Sequence, residues 1–191
     1  MGLLSRLKLR NFRNYSKLEL DLKPGLTVLQ GENGAGKTNV LEAIYYLSLL
    51  RSFRTRQTSQ LQKWGASYFY AEAAVRSESG GPGEHRVSVA YADRRRLRVN
   101  GGAIQKASEF INAFLCIVFA PEDIRLVKGS PGSRRRFVDI LLSQISGDYL
   151  HHLMRYNTAL KARNAMLKRP GRYGRDAVRA YNNILSTSGA K

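Results

Sequence analysis

Residues Gly31-Glu32-Asn33-Gly34-Ala35-Gly36-Lys37-Thr38 follow the spacing G-x-x-x-x-G-K-[ST], in which each fixed position answers a demand of a bound triphosphate. Small residues at 31, 34, 35 and 36 let the backbone wrap phosphates, and the N–H groups so presented form an anion-binding nest. Lys37 is the cation that reaches the β- and γ-phosphates, and the Thr38 hydroxyl is the candidate Mg²⁺ ligand. A helix opening near Gly36 aims its positive end at the same anion.

Such a loop works only between a strand that ends beneath it and a helix that starts above it. Leu26-Thr27-Val28-Leu29, after Pro24-Gly25, predicts a buried strand, and Val40, Leu41, Ile44, Leu47 and Leu50 fall at helical spacing, with the helix ending near Arg51. Upstream, Leu7 and Leu9 alternate with Arg6, Lys8 and Arg10, and Leu18, Leu20 and Leu22 alternate with Glu19 and Asp21. This predicts two strands joined by the polar and aromatic turn Asn11–Tyr15. Downstream, strands are expected over 68–75, 86–91 and 96–99, with a flexible connection through Gly80–Gly83 and a turn at Asn100-Gly101. A helical piece at 108–113 then leads into the apolar run 114–119, expected as a buried strand with Cys116 in the core.

After Pro121 the periodicity becomes helical: Phe137, Ile140, Leu141 and Ile145 share one face, as do Leu153, Tyr156, Leu160 and Leu167, before a break at Pro170-Gly171. The first of these helices opens with a second constellation, Gly129-Ser130-Pro131-Gly132-Ser133-Arg134-Arg135-Arg136. Ser130 suits an N-cap and Pro131 a first helical position. A helix N-terminus with a hydroxyl and arginines one turn in is a second candidate anion site. The competing reading, a capped surface helix with a solvated basic face, loses ground beside a phosphate loop.

The 191 residues carry 32 basic and 14 acidic side chains, a net charge of +18, and 22 of the basic residues are arginine. That excess points to a polyanionic partner, nucleic acid first. No apolar run approaches a membrane span, and the N-terminus lacks a secretory apolar stretch. One cysteine allows no internal disulfide, which suits the cytoplasm, and His85, His151 and His152 lack metal-ligand companions at useful spacing.

Leu9–Tyr15, the loop Gly31–Thr38 with Asn39–Ile44 after it, Arg51-Ser52-Phe53-Arg54-Thr55, Ala120–Asp123 and Leu126–Asp139 resemble, in matching order, the RecF family of bacterial recombination mediators. The 129–139 segment is similar to the signature of ABC-type ATPases of the RecF, SMC and Rad50 kind. The resemblance implies an α/β P-loop fold of ABC-ATPase type, its first lobe holding a mixed β-sheet, followed by a mainly helical arm. It divides the chain into an ATP-binding lobe, 1–120, and a signature helix with the start of the arm, 121–191. It implies ATP and Mg²⁺ as cofactors and a homodimer in which Gly129, Ser130, Pro131 and Gly132 of one subunit meet the γ-phosphate held by the other's loop. Arg134, Arg135 and Arg136 would support that contact or reach DNA, and Arg13 and Asn14 would lie on the nucleotide side. Duplex DNA, junctions with single-stranded gaps, RecR with RecO, and RecA are the implied partners, in repair, fork maintenance and SOS induction.

The family's length is roughly twice that of this chain, and its water-activating acids end a later apolar strand. Glu122 and Asp123 are the only lookalike here, and Pro121 together with their early position assigns them to a turn. The chain thus reads as an N-terminal portion with binding elements but without a general base. Two other readings are another SMC- or Rad50-like head and a P-loop phosphotransferase, although no acceptor site or lid is visible and 129–137 would go unexplained. A third is an interaction protein with an unused loop.

Overall fold

Alternation of apolar and charged residues builds one antiparallel sheet. The computed structural model describes residues 2–77, 83–111, 113–119, 123, 128–168 and 175–189, in two compact units, Met1–Ala120 and Pro121–Lys191. In the first unit β1 (Gly2–Phe12), β2 (Tyr15–Asp21), β3 (Phe69–Ser77), β4 (Glu84–Tyr91), β5 (Arg95–Val99) and β6 (Gly102–Ile104) run in the order β2-β1-β3-β4-β5-β6, all neighbours antiparallel. Leu18, Leu9, Ala71, Val89, Leu97 and Ile104 stand opposite one another across the six strands and form an apolar row. Residues one position along point to the other face, where the row Glu19, Lys8, Glu72, Ser88 and Arg98 is polar. Asn100 and Gly101 both take positive φ (51° and 82°), the twist that a two-residue hairpin between β5 and β6 needs.

Helix α1 (Lys37–Leu49) lies on the apolar face against β1, β3 and β4, burying Val40, Ala43, Tyr46 and Leu47. Phe69 is the centre of this core: Phe12 and Tyr46 meet its ring edge-on at 5.5 and 5.8 Å, and Tyr91 stacks on it at 5.5 Å. At the helix C-terminus Leu50 turns left-handed (φ 52°), and Arg95 donates to its carbonyl at 3.2 Å, a cation where the dipole is negative. The short α2 (Ala107–Ile111) buries Phe110 and Ile111 beside α1 and β5.

Two expectations fail here. Leu26–Leu29 and 114–119 were expected as buried strands, yet among the described residues neither joins a ladder. Leu26 is 93% exposed and Ile117 87%. In the second run Phe114 is buried and Cys116 and Val118 half-buried, while Leu115, Ile117 and Phe119 face solvent, so one face packs and the other is bare. A run apolar on both faces is buried only where strands flank it and layers cover it on both sides, and the described residues supply only one layer. Desolvation still pushes the Cys116 thiol up to about 11, leaving it protonated at neutral pH.

In the second unit, α3 (Pro131–Ile145), α4 (Gly147–Leu167) and α5 (Arg175–Gly189) follow in turn. Ser146 Oγ accepts the Tyr149 N–H at 3.2 Å and caps α4; Tyr149 Oη donates to Asp139 at 2.7 Å, and Arg163 Nε donates to Asn182 at 2.6 Å. The connection at 80–82, the lookalike Glu122, residues 126–127 and the break at 170–171 lie outside the described residues.

Phe69→Ala should cost about 3–5 kcal/mol of unfolding free energy, because it leaves a cavity among three rings, whereas Trp64→Ala, at a side chain 99% exposed, should stay within about 0.5 kcal/mol. Denaturant midpoints at unchanged slope check both.

Candidate functional site

The end of β1 and the turn after it carry two non-glycine residues in the left-handed region, Asn11 (φ 50°) and Arg13 (φ 53°). Backbone bonds to the strand-like segment after α1 hold it: Arg13 N–H to Leu61 O at 2.7 Å and Lys63 N–H to Asn11 O at 2.8 Å. Thus placed, the Arg13 guanidinium grips Glu42 with two bonds of 2.8 and 2.6 Å and also reaches the Gln60 carbonyl at 2.8 Å. Glu42 is fully buried on α1, so its charge must be matched. Ser52 Oγ donates to it at 2.5 Å and accepts the N–H groups of Arg54 and Thr55 at 2.9 and 3.0 Å, while the Arg54 guanidinium stands 3.6 Å away.

The phosphate loop rests on this cluster. Asn14 Nδ2 donates to the Ala35 carbonyl at 3.3 Å, Asn39 Nδ2 donates to Asn14 Oδ1 at 2.8 Å, and Arg54 donates to Asn39 Oδ1 at 2.7 Å. Gly36 is required twice over: its φ is 104°, and a Cβ there would come within 2.7 Å of the Asn14 amide and 2.8 Å of the Tyr15 hydroxyl. Lys37 Nζ donates to the carbonyls of Gly31 and Glu32, both at 2.7 Å, so the ammonium is drawn back over the loop. The Lys37 and Thr38 N–H groups open α1, where no intrahelical acceptor exists, and the Thr38 side chain is exposed beside them. Free N–H groups, one ammonium and a hydroxyl converge here, a donor set for a polyphosphate and its metal.

All eight loop residues are therefore together. Asn14 touches the loop, whereas the Arg13 guanidinium is committed to Glu42 and Gln60. Beside the loop a cleft of about 670 Å³ is lined by Arg13, Asn14, Asn39, Arg54, Gln60 and Trp64. Glu42, Asn39, Arg54 and Trp64 did not stand out in the sequence as site residues. The available signal was Glu42 itself, a carboxylate interrupting the apolar face of α1.

In the other unit, Ser130 is the N-cap of α3 (φ −70°, ψ 157°) and Pro131 its first residue. The Ser130 hydroxyl makes no capping bond; it lies 3.4 Å from Ser133 Oγ, and Arg134 donates to the Gly129 carbonyl at 3.1 Å. Arg135 and Arg136 are exposed.

The sequence model of the RecF/RecN/SMC N terminal domain matches residues 3–106, more than half of the chain. The chain belongs to that family. Among RecF/RecN/SMC relatives, the DNA replication and repair protein RecF of Symbiobacterium thermophilum is 43% identical over 167 residues, which is 87% of this chain and 44% of the relative. The protein of the same name from Halalkalibacterium halodurans is 42% identical over 165 residues, 86% of this chain and 44% of the relative. The chain thus spans less than half the length of these relatives. A solved structure of the recombination mediator RecF with ATP superposes with a TM-score of 0.90 at 34% identity, covering 99% of this chain and 51% of that one. An SMC ATPase structure, described for ATP-driven dimerisation and DNA-stimulated activation, matches at TM-score 0.59 and 24% identity over 72% of this chain and 98% of that one, which shows shared fold. The architecture is therefore the P-loop fold of ABC-type ATPases.

Glu42→Gln removes the charge that balances a largely buried guanidinium, and the expected loss is about 3–5 kcal/mol of stability in denaturant titration. A change below about 1 kcal/mol would show that the cluster is not a structural hub.

Proposed function

We propose that this chain is the ATP-binding part of a RecF-type recombinational repair protein, in which ATP acts chiefly as the bond between two subunits. The observation that carries this reading is the loop itself: Gly36 closed against Asn14 and Tyr15, with Lys37 drawn over the Gly31 and Glu32 carbonyls. Gly31, Glu32, Asn33, Gly34, Ala35 and Gly36 would cradle the phosphates, Lys37 would leave its carbonyls for the β- and γ-phosphates, and Thr38 would ligate Mg²⁺. The nucleoside end would lie along the adjoining cleft, with Asn14 between the two and Arg13 acting through its grip on Glu42. The metal's contribution is charge neutralisation of the phosphates.

A loop of this kind binds one side of a triphosphate. The other side is met, on this reading, by a second subunit's Gly129, Ser130, Pro131 and Gly132, with Arg134 and Arg135 one turn in. The uncapped Ser130 hydroxyl and the N-terminus of α3 favour an anion there. Support also comes from relatives named as DNA replication and repair proteins and from the RecF structure with ATP. The intact protein would bind duplex DNA and gap junctions in the cytoplasm, work with RecR and RecO in loading RecA, and support SOS induction. No residue of this chain is assigned as the general base for hydrolysis.

Trp64, the chain's single tryptophan, stands at the cleft and is its own reporter. In the intact protein ATP should change Trp64 emission, and Lys37→Met should weaken that response on the order of 10- to 100-fold while abolishing ATP-dependent dimers in sedimentation. Ser130→Arg should leave the emission response intact and still block dimers. Equal loss of both by Ser130→Arg would refute the assignment across subunits.

A further inference from the structure

The sheet face turned away from α1 is strongly basic, and its charges are unevenly matched. Toward one end arginines have acidic partners: Arg6 with Asp21 at 2.5 Å, Arg86 with Glu84 at 2.9 Å and Arg76 with Glu84 at 3.4 Å. Toward the other end Lys8 and Arg10 on β1, and Arg96 and Arg98 on β5, have no ion pair among the described residues. The carboxylate between them, Glu72, accepts the Tyr70 hydroxyl at 2.5 Å instead. Burial and that carboxylate push the Tyr70 phenol up to about 12, so it remains a donor and Glu72 stays occupied.

The register turns these four cations into two rails. Arg10 stands opposite Tyr70, Tyr70 opposite Ala90, and Ala90 opposite Arg96; one row over, Lys8, Glu72, Ser88 and Arg98 are aligned in the same way. β1 and β5 are three strand spacings apart, about 14 Å, and like-facing residues on each rail repeat every ~7 Å. Between the rails lie Tyr70 and Glu72 on β3 and Ser88 and Ala90 on β4. The small pair on β4 leaves a groove of about 490 Å³ walled by Tyr70 and Glu72 on one side and by Arg96 and Arg98 on the other, with Glu84 and Arg86 paired toward its end.

We infer that this groove is the seat of a nucleic-acid backbone: one phosphodiester strand lies over Ala90 and Ser88, held from β5 by Arg96 and Arg98 and flanked, beyond Tyr70 and Glu72, by Lys8 and Arg10 on β1. The inference rests on the DNA-binding reading above and names its site. Arg96 and Arg98 on one wall, with Lys8 and Arg10 one strand beyond the other, suit a linear polyanion whose charges repeat at a comparable distance. Three of the four are arginines, whose planar forks pair with phosphate oxygens. The large ring in the groove, Tyr70, is half-buried and tied to Glu72, so this part of the face lacks the exposed apolar patch that an anionic membrane surface would bury. The contacts are to phosphate, so binding is insensitive to base sequence and steep in salt.

The test is fluorescence anisotropy of the intact protein with ATP and a labelled gapped duplex, titrated in salt. The triple variant Arg10→Gln/Arg96→Gln/Arg98→Gln should lose affinity about tenfold or more and lower the log–log salt slope by about 2–3, since each lost phosphate contact removes about 1. Its Trp64 response to ATP should be unchanged, which separates loss of the groove from loss of the nucleotide site. The acid-matched pair Arg6→Gln/Arg76→Gln, outside the groove lining, should keep the wild-type slope. A triple variant with wild-type affinity and slope overturns the groove but leaves DNA binding standing. An intact protein with no salt-dependent DNA binding overturns both. Binding to phosphatidylserine vesicles that the triple variant loses, with DNA binding retained, would reassign the face to a membrane.

Discussion

The buried carboxylate of Glu42 is the constraint around which this nucleotide site is built. Taking a charge wholly out of water is tolerable only if cations and hydrogen-bond donors are delivered to it, and they come from two segments distant in sequence. Arg13 arrives from a turn whose left-handed residues exist to aim it, and Ser52 arrives from the segment after α1. Satisfying Glu42 therefore ties the helix that carries Lys37 to the turn that carries Asn14, and Asn14 in turn holds the loop at Ala35. Substitutions in this cluster reach the phosphate loop without touching a phosphate.

The sheet divides its labour by face. Inward residues of β1, β3 and β4 support α1, and the rigid helix fixes the direction in which its N-terminal N–H groups point. Outward residues are free of packing demands and carry charge instead. A chain with 22 arginines can concentrate unpaired cations on that face because its acids there are gathered toward one end, paired with Lys17 in the case of Glu19, or occupied by Tyr70 in the case of Glu72.

Much of this was legible in the sequence because it is written locally. The loop spacing, the helical repeat from Val40 to Leu47, the alternation in β1 and β2, the Asn100-Gly101 turn and the Ser130-Pro131 start of α3 each depend on residues within a few positions of one another. Arg13 shows where local reading stops. Its partner lies 29 residues away, and nothing in Asn11–Tyr15 says that the guanidinium turns inward to a carboxylate rather than outward to a nucleotide. The runs at 26–29 and 114–119 show a second limit. Hydrophobicity records what a segment could bury, whereas burial depends on neighbours on both edges and both faces, and Leu26 and Ile117 lack them here. Trp64 was invisible for the opposite reason: a tryptophan left 99% exposed contradicts the ordinary preference of its type.

The central claim is that the loop at Gly31–Thr38 is half of a site and that Ser130 of a second subunit supplies the other half. Mixing two inactive forms of the intact protein, Lys37→Met and Ser130→Arg, measures this directly by analytical ultracentrifugation with ATP. In the mixed dimer the loop of the Ser130→Arg subunit faces the unaltered Ser130 segment of its partner, so one of two composite sites is whole. ATP-dependent heterodimers holding about one ATP each, where neither variant alone dimerises, are the predicted result. Monomers throughout, or equal dimerisation by Ser130→Arg alone, would contradict it.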